Sequence, residues 1–199
     1  SCTFNVYTGG VRCYFDGDWS AFDGTINAGK ENRQNKKTYD PSWAFRNTKG
    51  LPKATLNVQA EVGVSNEGKN IQLGALKGSG SLNGSGQYII LDDKNYSLTP
   101  TVNSPLVKRG AGKMTLSVNK LNGALTVEEG TVTFNQPGLN TAINGTNTIT
   151  VKSGARVVGQ GLVNALVVQK GAEVTPCGST LNETTAGTIK CSNTINVNE

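Results

Sequence analysis

A short unit near the end of the chain, present in three copies, most constrains its fold. The copies read LTVEEGTVTF from Leu125, ITVKSGARVV from Ile149 and LVVQKGAEVT from Leu166. Each begins with branched apolar residues at alternating positions, continues with two polar residues and a glycine, and ends in a second apolar run. Period-two alternation on both sides of a glycine predicts a strand, a tight turn and a second strand.

The spacing of the copies predicts stacked strands. Their glycines are Gly130, Gly154 and Gly171, so the period is roughly 17 to 24 residues, which is typical of a solenoid. A unit this small cannot bury its own apolar face, and neighbouring units must therefore stack. The Leu/Asn spacing of leucine-rich repeats is absent. The sequence thus predicts an all-β solenoid of the parallel β-helix type, with a pectate-lyase-like architecture.

Composition agrees with this prediction. Glycine accounts for 25 of the 199 residues, aromatics are only 6%, and Val, Ile, Thr and Leu supply the apolar content that strands prefer. No apolar run approaches the 18 or so residues of a membrane span, so we expect no membrane insertion of this segment. The chain has no initiator methionine and no signal peptide at its start, which we interpret as an excised piece of a longer protein.

The repeat signature divides the chain unevenly. It is clearest over 106–199, and period-two alternation over 51–62 extends the predicted rungs, so we expect β-helix over 51–199. Residues 1–50 hold most of the aromatic side chains, including both tryptophans. That region is predicted to be a cap or a set of irregular first rungs within one continuous domain.

The segment 106–135 resembles the autotransporter-associated β-strand repeat, and 154–163 and 171–198 resemble the segments that usually follow it. The matching positions are Leu106, Lys108, Gly110, Gly112, Met114, Leu116, Gly123, Val127, Gly130 and Val132. Cys177 departs from the family pattern, which tends to have glycine there, and Cys191 falls in the last strand region. The resemblance implies a right-handed parallel β-helix in the exported part of a bacterial surface protein, with no shared catalytic residues.

The expected function is accordingly that of a non-catalytic, adhesin-like structural module, secreted or attached to the outer membrane at the cell surface. Its expected partners are host or bacterial surface glycans or proteins, with weak self-association through exposed β-helix ends. We expect no cofactor. The net charge of +5 is scattered apart from the basic stretch 30–37, which we interpret as a solubilising loop and not as a nucleic-acid site.

A carbohydrate-binding or polysaccharide-processing β-helix is the alternative. Its stacking groups would be Trp19, Trp43 and Tyr39, although large aromatics at one end of a repeat array equally suit a core or cap. A polysaccharide lyase or hydrolase would need converging carboxylates, and the candidates are Asp92 and Asp93 with Lys94, and the adjacent pair Glu128 and Glu129. Neighbouring residues on a strand point to opposite faces, so neither pair is expected to form one site.

Two shorter motifs carry weaker signals. Residues 63–70 nearly match the phosphate-binding loop, but Asn70 cannot supply its hydroxyl ligand, and a strand pattern follows where a helix is needed. Asp16, Asp18 and Asp23 could bind calcium irregularly, although a solvated turn accounts for them as well.

The four cysteines are Cys2, Cys13, Cys177 and Cys191. With no histidine and no CxxC pair, no metal site is expected. In an oxidising compartment the local pairs Cys2–Cys13 and Cys177–Cys191 would each lock one end of the chain. Unpaired buried thiols are the alternative interpretation.

Overall fold

The computed structural model describes residues 2–8, 12–30, 42–116, 121–135, 148–177 and 186–198, and no helix occurs in these ranges. The strands are β1 (Cys2–Thr8), β2 (Cys13–Phe15), β3 (Gly24–Lys30), β4 (Ser42–Phe45), β5 (Leu51–Val58), β6 (Gly63–Ser65), β7 (Ile71–Gly78), β8 (Ser81–Asn83), β9 (Tyr88–Ile90), β10 (Tyr96–Leu98), β11 (Thr101–Val102), β12 (Leu106–Lys108), β13 (Lys113–Leu116), β14 (Leu125–Val127), β15 (Thr131–Asn135), β16 (Thr148–Val151), β17 (Arg156–Val168), β18 (Glu173–Pro176) and β19 (Ile189–Val197). They belong to two compact units. The first comprises 1–91 and 99–105, and the second comprises 92–98 and 106–199.

In the first unit the chain alternates between two parallel sheets. One sheet has the order β1-β3-β5-β7-β9 and the other the order β2-β4-β6-β8-β11. Strands of one sheet stack in register, so that Ile26 lies beside Leu56 and Leu56 beside Leu76. All three side chains are fully buried, and such columns of inward apolar residues build the core of this unit.

The second unit repeats the same plan. One of its sheets has the order β12-β14-β16-β17-β19 and the other the order β10-β13-β15-β17-β18, with the long strand β17 shared between them. The three sequence copies align as predicted, because Leu125 lies beside Ile149 and Ile149 beside Leu166. Their turn glycines have φ angles of 72°, 79° and 79°, which is the left-handed conformation that glycine adopts without penalty.

Each unit is therefore a parallel β-solenoid, and the predicted all-β parallel β-helix is confirmed. The arrangement is consistent with the right-handed form. Strands β1 to β4, from the aromatic-rich first 50 residues, lie in the same two sheets as the later strands of the first unit. The predicted division of the chain at residue 50 stays a prediction.

A polar ladder runs along the outer surface of the first unit. Asn5, Asn27 and Asn57 are in register on β1, β3 and β5. The Asn27 amide donates to the Asn5 Oδ1 atom at 2.5 Å, and the Asn57 amide donates to the Asn27 Oδ1 atom at 2.7 Å. A parallel rank of threonines, Thr3, Thr25 and Thr55, flanks the ladder. The ladder ties three successive rungs together outside the core.

We expect Asn27→Ala to lower the free energy of unfolding by about 1–2 kcal/mol, because the substitution removes both hydrogen bonds of the ladder. Denaturant-induced unfolding measures this effect. Thr25→Ala is the matched control, since Thr25 lies on the same strand and face without a side-chain hydrogen bond to any described residue. Equal losses in the two variants would show that the ladder adds no stability.

Candidate functional site

A groove of about 560 Å³ lies on the outer face of the sheet β2-β4-β6-β8-β11 in the first unit. We call it the sheet-face groove. The described residues that line it are mainly glycines and residues with hydroxyl, amide or charged side chains: Arg12, Ser42, Glu61, Val62, Gly63, Ser79, Gly80, Ser81, Asn83 and Thr101. Pockets of this volume bind small-molecule ligands in other proteins.

Strand alternation builds the floor of the groove. Ser42, Gly63, Ser81 and Thr101 are in register on four neighbouring strands. The residue after each of them points inward and is buried, so these four small residues face outward; the buried set is Trp43, Val64, Leu82 and Val102. At about 4.8 Å between strands, the floor extends for about 14 Å across the rungs.

Charged side chains at the groove are paired. The Arg12 guanidinium lies 3.2 Å from a carboxylate oxygen of Glu67 and donates to the Ser42 hydroxyl at 3.4 Å. Glu67 also has the Lys69 ammonium at 3.9 Å, and Glu61 forms an ion pair with Lys30. Only Arg12 and Glu61 of these residues line the groove, so its described lining holds one cation and one carboxylate.

Hydroxyl groups in the groove differ in their partners. The Ser81 hydroxyl accepts from the Asn83 amide at 3.1 Å, and Asn83 in turn accepts from the Asn103 amide at 2.7 Å. The hydroxyls of Ser79 and Thr101 line the same groove without a hydrogen-bond partner among the residues that the structure describes. These two groups are therefore available to donate to a ligand and to accept from it.

Glu61 occupies a backbone position that glycine holds elsewhere in the protein. The turn from β5 to β6 is closed by a hydrogen bond from the Val62 amide to the Gln59 carbonyl, and Glu61 within it has φ of 64°. The corresponding turns of the second unit place Gly154 and Gly171 there, both with φ of 79°. A left-handed conformation costs a non-glycine residue roughly 1–2 kcal/mol.

Glu61→Gly is therefore expected to raise the free energy of unfolding by about 0.5–1 kcal/mol. Relief of the left-handed backbone outweighs the loss of the exposed ion pair with Lys30. Chemical denaturation is the measurement. Glu61→Gln retains the backbone strain and serves as the control, with an expected change below about 0.5 kcal/mol. If Glu61→Gly is less stable than Glu61→Gln, the left-handed backbone at residue 61 does not destabilise the fold.

Neither of the two tryptophans predicted to stack on a sugar lines this groove. Trp43 points inward from β4 and is only 4% exposed, so its ring packs in the core, the position that the sequence offered for it beside sugar stacking. Trp19 is half-buried, donates from its indole N–H to the Asp16 carbonyl at 2.8 Å, and packs near Phe22 at 6.1 Å. Tyr39 lies outside the described residues.

None of the four cysteines forms a disulfide in the structure. Cys2 begins β1, Cys13 begins β2, Cys177 is buried and Cys191 lies on β19. Partial burial raises the pKa of the Cys191 thiol above its usual value, which disfavours the reactive thiolate. The two local pairings stay a prediction, which counting reactive thiols with and without reductant would test.

The carboxylates considered for catalysis have partners within the second unit. Asp92 accepts from the Lys94 amide at 2.7 Å, and Asp93 accepts from the Ala111 amide at 3.3 Å. Glu128 binds the Lys152 ammonium and the Arg109 guanidinium, each at 2.6 Å. The hydrogen bond from Lys152, followed by that from Arg109, lowers the pKa of the Glu128 carboxyl. These contacts stabilise turns and neighbouring rungs.

Lys108 is a buried cation in the second unit that the sequence did not indicate as unusual. Its side chain is fully buried, and its ammonium donates to the carbonyls of Gly110 and Glu129. Burial lowers the pKa of Lys108, while the nearby carboxylate of Glu129 opposes that shift. Because both acceptors are main-chain carbonyls of the turns beside β12 and β14, Lys108 holds these turns to the core.

The two weaker motifs form turns. Residues 63–70 comprise β6 and a tight turn before β7, so the phosphate-loop match is not followed by a helix. Asp18 binds the Ser20 amide at 3.0 Å and the Lys49 ammonium, whose hydrogen bond lowers the pKa of Asp18. Across the described ranges there is no group of three or more His, Cys, Asp or Glu side chains that could hold a metal ion.

The buried tyrosine Tyr88 makes the stability of the fold depend on pH in the alkaline range. Tyr88 is fully buried and donates to the Val64 carbonyl at 2.9 Å, and burial raises its pKa well above 10.0. Only the unfolded chain then ionises this group near its ordinary pKa of about 10. Its contribution to stability is present below about pH 10 and is lost as the pH rises further, towards the raised pKa.

We therefore expect the unfolding free energy to fall steeply above about pH 10, and Tyr88→Phe to make this fall shallower. At neutral pH the same variant should be about 1 kcal/mol less stable, because it loses the hydrogen bond to Val64. Denaturant unfolding over a pH series measures both effects. Tyr14→Phe is the control because Tyr14 is exposed. Identical pH profiles for both variants would contradict the prediction.

No family model matches this sequence, and neither a curated protein nor a solved structure matches it. No helix in the described part of the chain is long and apolar enough to span a membrane.

Proposed function

We propose that this chain is a non-catalytic, adhesin-like structural module of an exported bacterial surface protein, located at the cell surface or secreted. The observation that carries the proposal is the in-register stacking of strands, with apolar columns inside and hydrogen-bonded polar ladders outside. Such stacking gives a stiff scaffold whose outer faces are available to partners. The resemblance of 106–135 to the autotransporter-associated repeat supports the same function.

The arrangement of carboxylates also supports a non-catalytic function. Asp92, Asp93 and Glu128 are bound to main-chain amides or to cations of the same unit, where they hold its turns. General acid–base catalysis on a glycan needs two carboxyl groups that converge on one bond of the substrate.

Two measurements test this function. Cells that display the chain on a surface anchor should adhere to immobilised surface glycans or proteins better than cells that carry the anchor alone. The purified chain, incubated with a panel of neutral and acidic polysaccharides, should release no product. Product release that disappears in Asp92→Ala or Asp93→Ala would identify an enzyme and overturn the proposal, as would adhesion no better than that of the anchor alone.

Carbohydrate binding is the second candidate, and the sheet-face groove favours it. A polar groove with two available hydroxyls and small floor residues suits a ligand that is itself rich in hydroxyls. Binding of the purified chain to a glycan array tests this candidate. No binding to any glycan on the array would exclude it.

A further inference from the structure

We propose that the sheet-face groove binds an uncharged oligosaccharide that lies across the rungs of the first unit. This inference rests on the second candidate function, carbohydrate binding. It assigns that function to a site that neither Trp19 nor Trp43 lines, and it names the chemical class of the sugar.

The dimensions of the groove indicate an extended ligand. Its floor crosses four strands, β4, β6, β8 and β11, for about 14 Å, and its volume is about 560 Å³. Gly63 lies within this floor, on the strand between those of Ser42 and Ser81. The two serine hydroxyls therefore flank a position that has no side chain. A ligand can approach the main chain closely there.

The charges at the groove indicate an uncharged ligand. Arg12 is the one cation among the described residues that line the groove, and its guanidinium is paired with Glu67 at 3.2 Å. Glu61 is held by Lys30. An acidic sugar would have to compete with Glu67 for Arg12, and the described lining of the groove offers it no second cation. An uncharged sugar can leave both ion pairs intact and bind to the hydroxyls that line the same groove.

The hydrogen-bonding groups indicate a sugar and not a peptide. A sugar hydroxyl both donates and accepts, which is also true of Ser79 and Thr101. Extended peptides bind sheets by pairing with a free strand edge. Of the floor strands, β4, β6 and β8 each have neighbours on both sides in their sheet, and β11, which ends the sheet, is only 2 residues long. The outward floor also offers no apolar pocket for peptide side chains, because its residues are Ser, Gly and Thr.

Two substitutions test the groove: one fills its floor, and the other removes a single hydroxyl. A Cβ atom at Gly63 would lie 3.1 Å from the Asn83 amide nitrogen and 3.5 Å from the Ser81 hydroxyl, so the Val side chain in Gly63→Val would project into the floor. Thr101→Val keeps the side-chain shape and removes one hydroxyl. Thr126→Val makes the same change on β14 of the second unit, outside the groove, and is the matched control.

The affinity of the full chain for uncharged and acidic oligosaccharides is measured by calorimetry, with thermal unfolding as the check of folding. For an uncharged ligand found on the array, we expect Gly63→Val to weaken binding by more than about 30-fold and Thr101→Val by about three- to tenfold. Thr126→Val should leave the affinity unchanged. Each comparison uses variants whose unfolding temperature matches that of the original chain, and Gly63→Ser replaces Gly63→Val if the latter is unstable.

The outcomes separate this inference from carbohydrate binding itself. If an uncharged glycan binds and neither groove variant weakens it, the site is elsewhere, and carbohydrate binding stands while the groove assignment fails. If only acidic glycans bind, the assignment to an uncharged sugar fails. If no glycan binds, carbohydrate binding and the inference fail together.

Discussion

Replacing Gly159 with alanine should lower the free energy of unfolding by at least about 3 kcal/mol, which is among the largest effects expected of a single methyl group. Gly159 lies on β17, near the point where this long strand stops pairing with β15 and begins to pair with β19. Its φ is 130°, a conformation that only glycine adopts readily. An added Cβ atom would also lie 2.0 Å from the carbonyl oxygen of Phe134, so the main chain of the neighbouring rung would have to move.

Gly154→Ala is the matched control for that prediction. Gly154 also has a positive φ, 79°, but a Cβ atom there would meet no other atom within 4 Å. Alanine at 154 should therefore cost only the strain of a left-handed backbone, roughly 1–2 kcal/mol. Denaturant unfolding followed by circular dichroism measures both variants. A loss at 159 no larger than the loss at 154 would show that the contact with Phe134 is easily relieved.

The contrast between these glycines shows what the sequence could predict. Gly130, Gly154 and Gly171 recur in one pattern, and alternation around them was enough to predict parallel rungs, which the register of Leu125, Ile149 and Leu166 confirms. Gly159 has no counterpart in that pattern. Its importance comes from the close approach of the next rung, which is a property of the stacked chain and not of the local sequence.

The candidate site was not predictable for a related reason. In the first unit Glu61 takes the turn position that glycine takes in the second unit. The glycine pattern that identified the repeat is therefore absent at this turn. The floor residues Ser42, Gly63, Ser81 and Thr101 are small and common, and each lies far from the next in sequence. Only the register of the strands brings them to one face. Aromatic residues were a more visible signal in the sequence, but Trp43 faces the core.

That placement of Trp43 leads to the second large effect. Trp43→Ala should lower the free energy of unfolding by about 3–5 kcal/mol, because it removes a buried ring from a packed cluster. The ring centroid of Trp43 lies 5.1 Å from that of Phe15, which in turn stacks on Phe45 at 4.7 Å. The Trp43 indole N–H has no hydrogen-bond partner among the described residues. Trp43→Phe should therefore cost less than about 1.5 kcal/mol, since it keeps an aromatic ring and removes a buried unpaired donor.

The same variants separate a core aromatic from a sugar-binding one. With Trp19→Phe as background, the fluorescence of Trp43 should be blue-shifted and resistant to a soluble quencher, because its side chain is 4% exposed. With Trp43→Phe as background, Trp19 should be quenched more readily because it is only half-buried. Neither background should change the affinity for a glycan that binds the sheet-face groove, since neither tryptophan lines that groove. Weaker glycan binding by Trp43→Phe, at an unchanged unfolding temperature, would mean that the ring contacts ligand after all. The assignment of the Trp43 ring to the core would then be wrong.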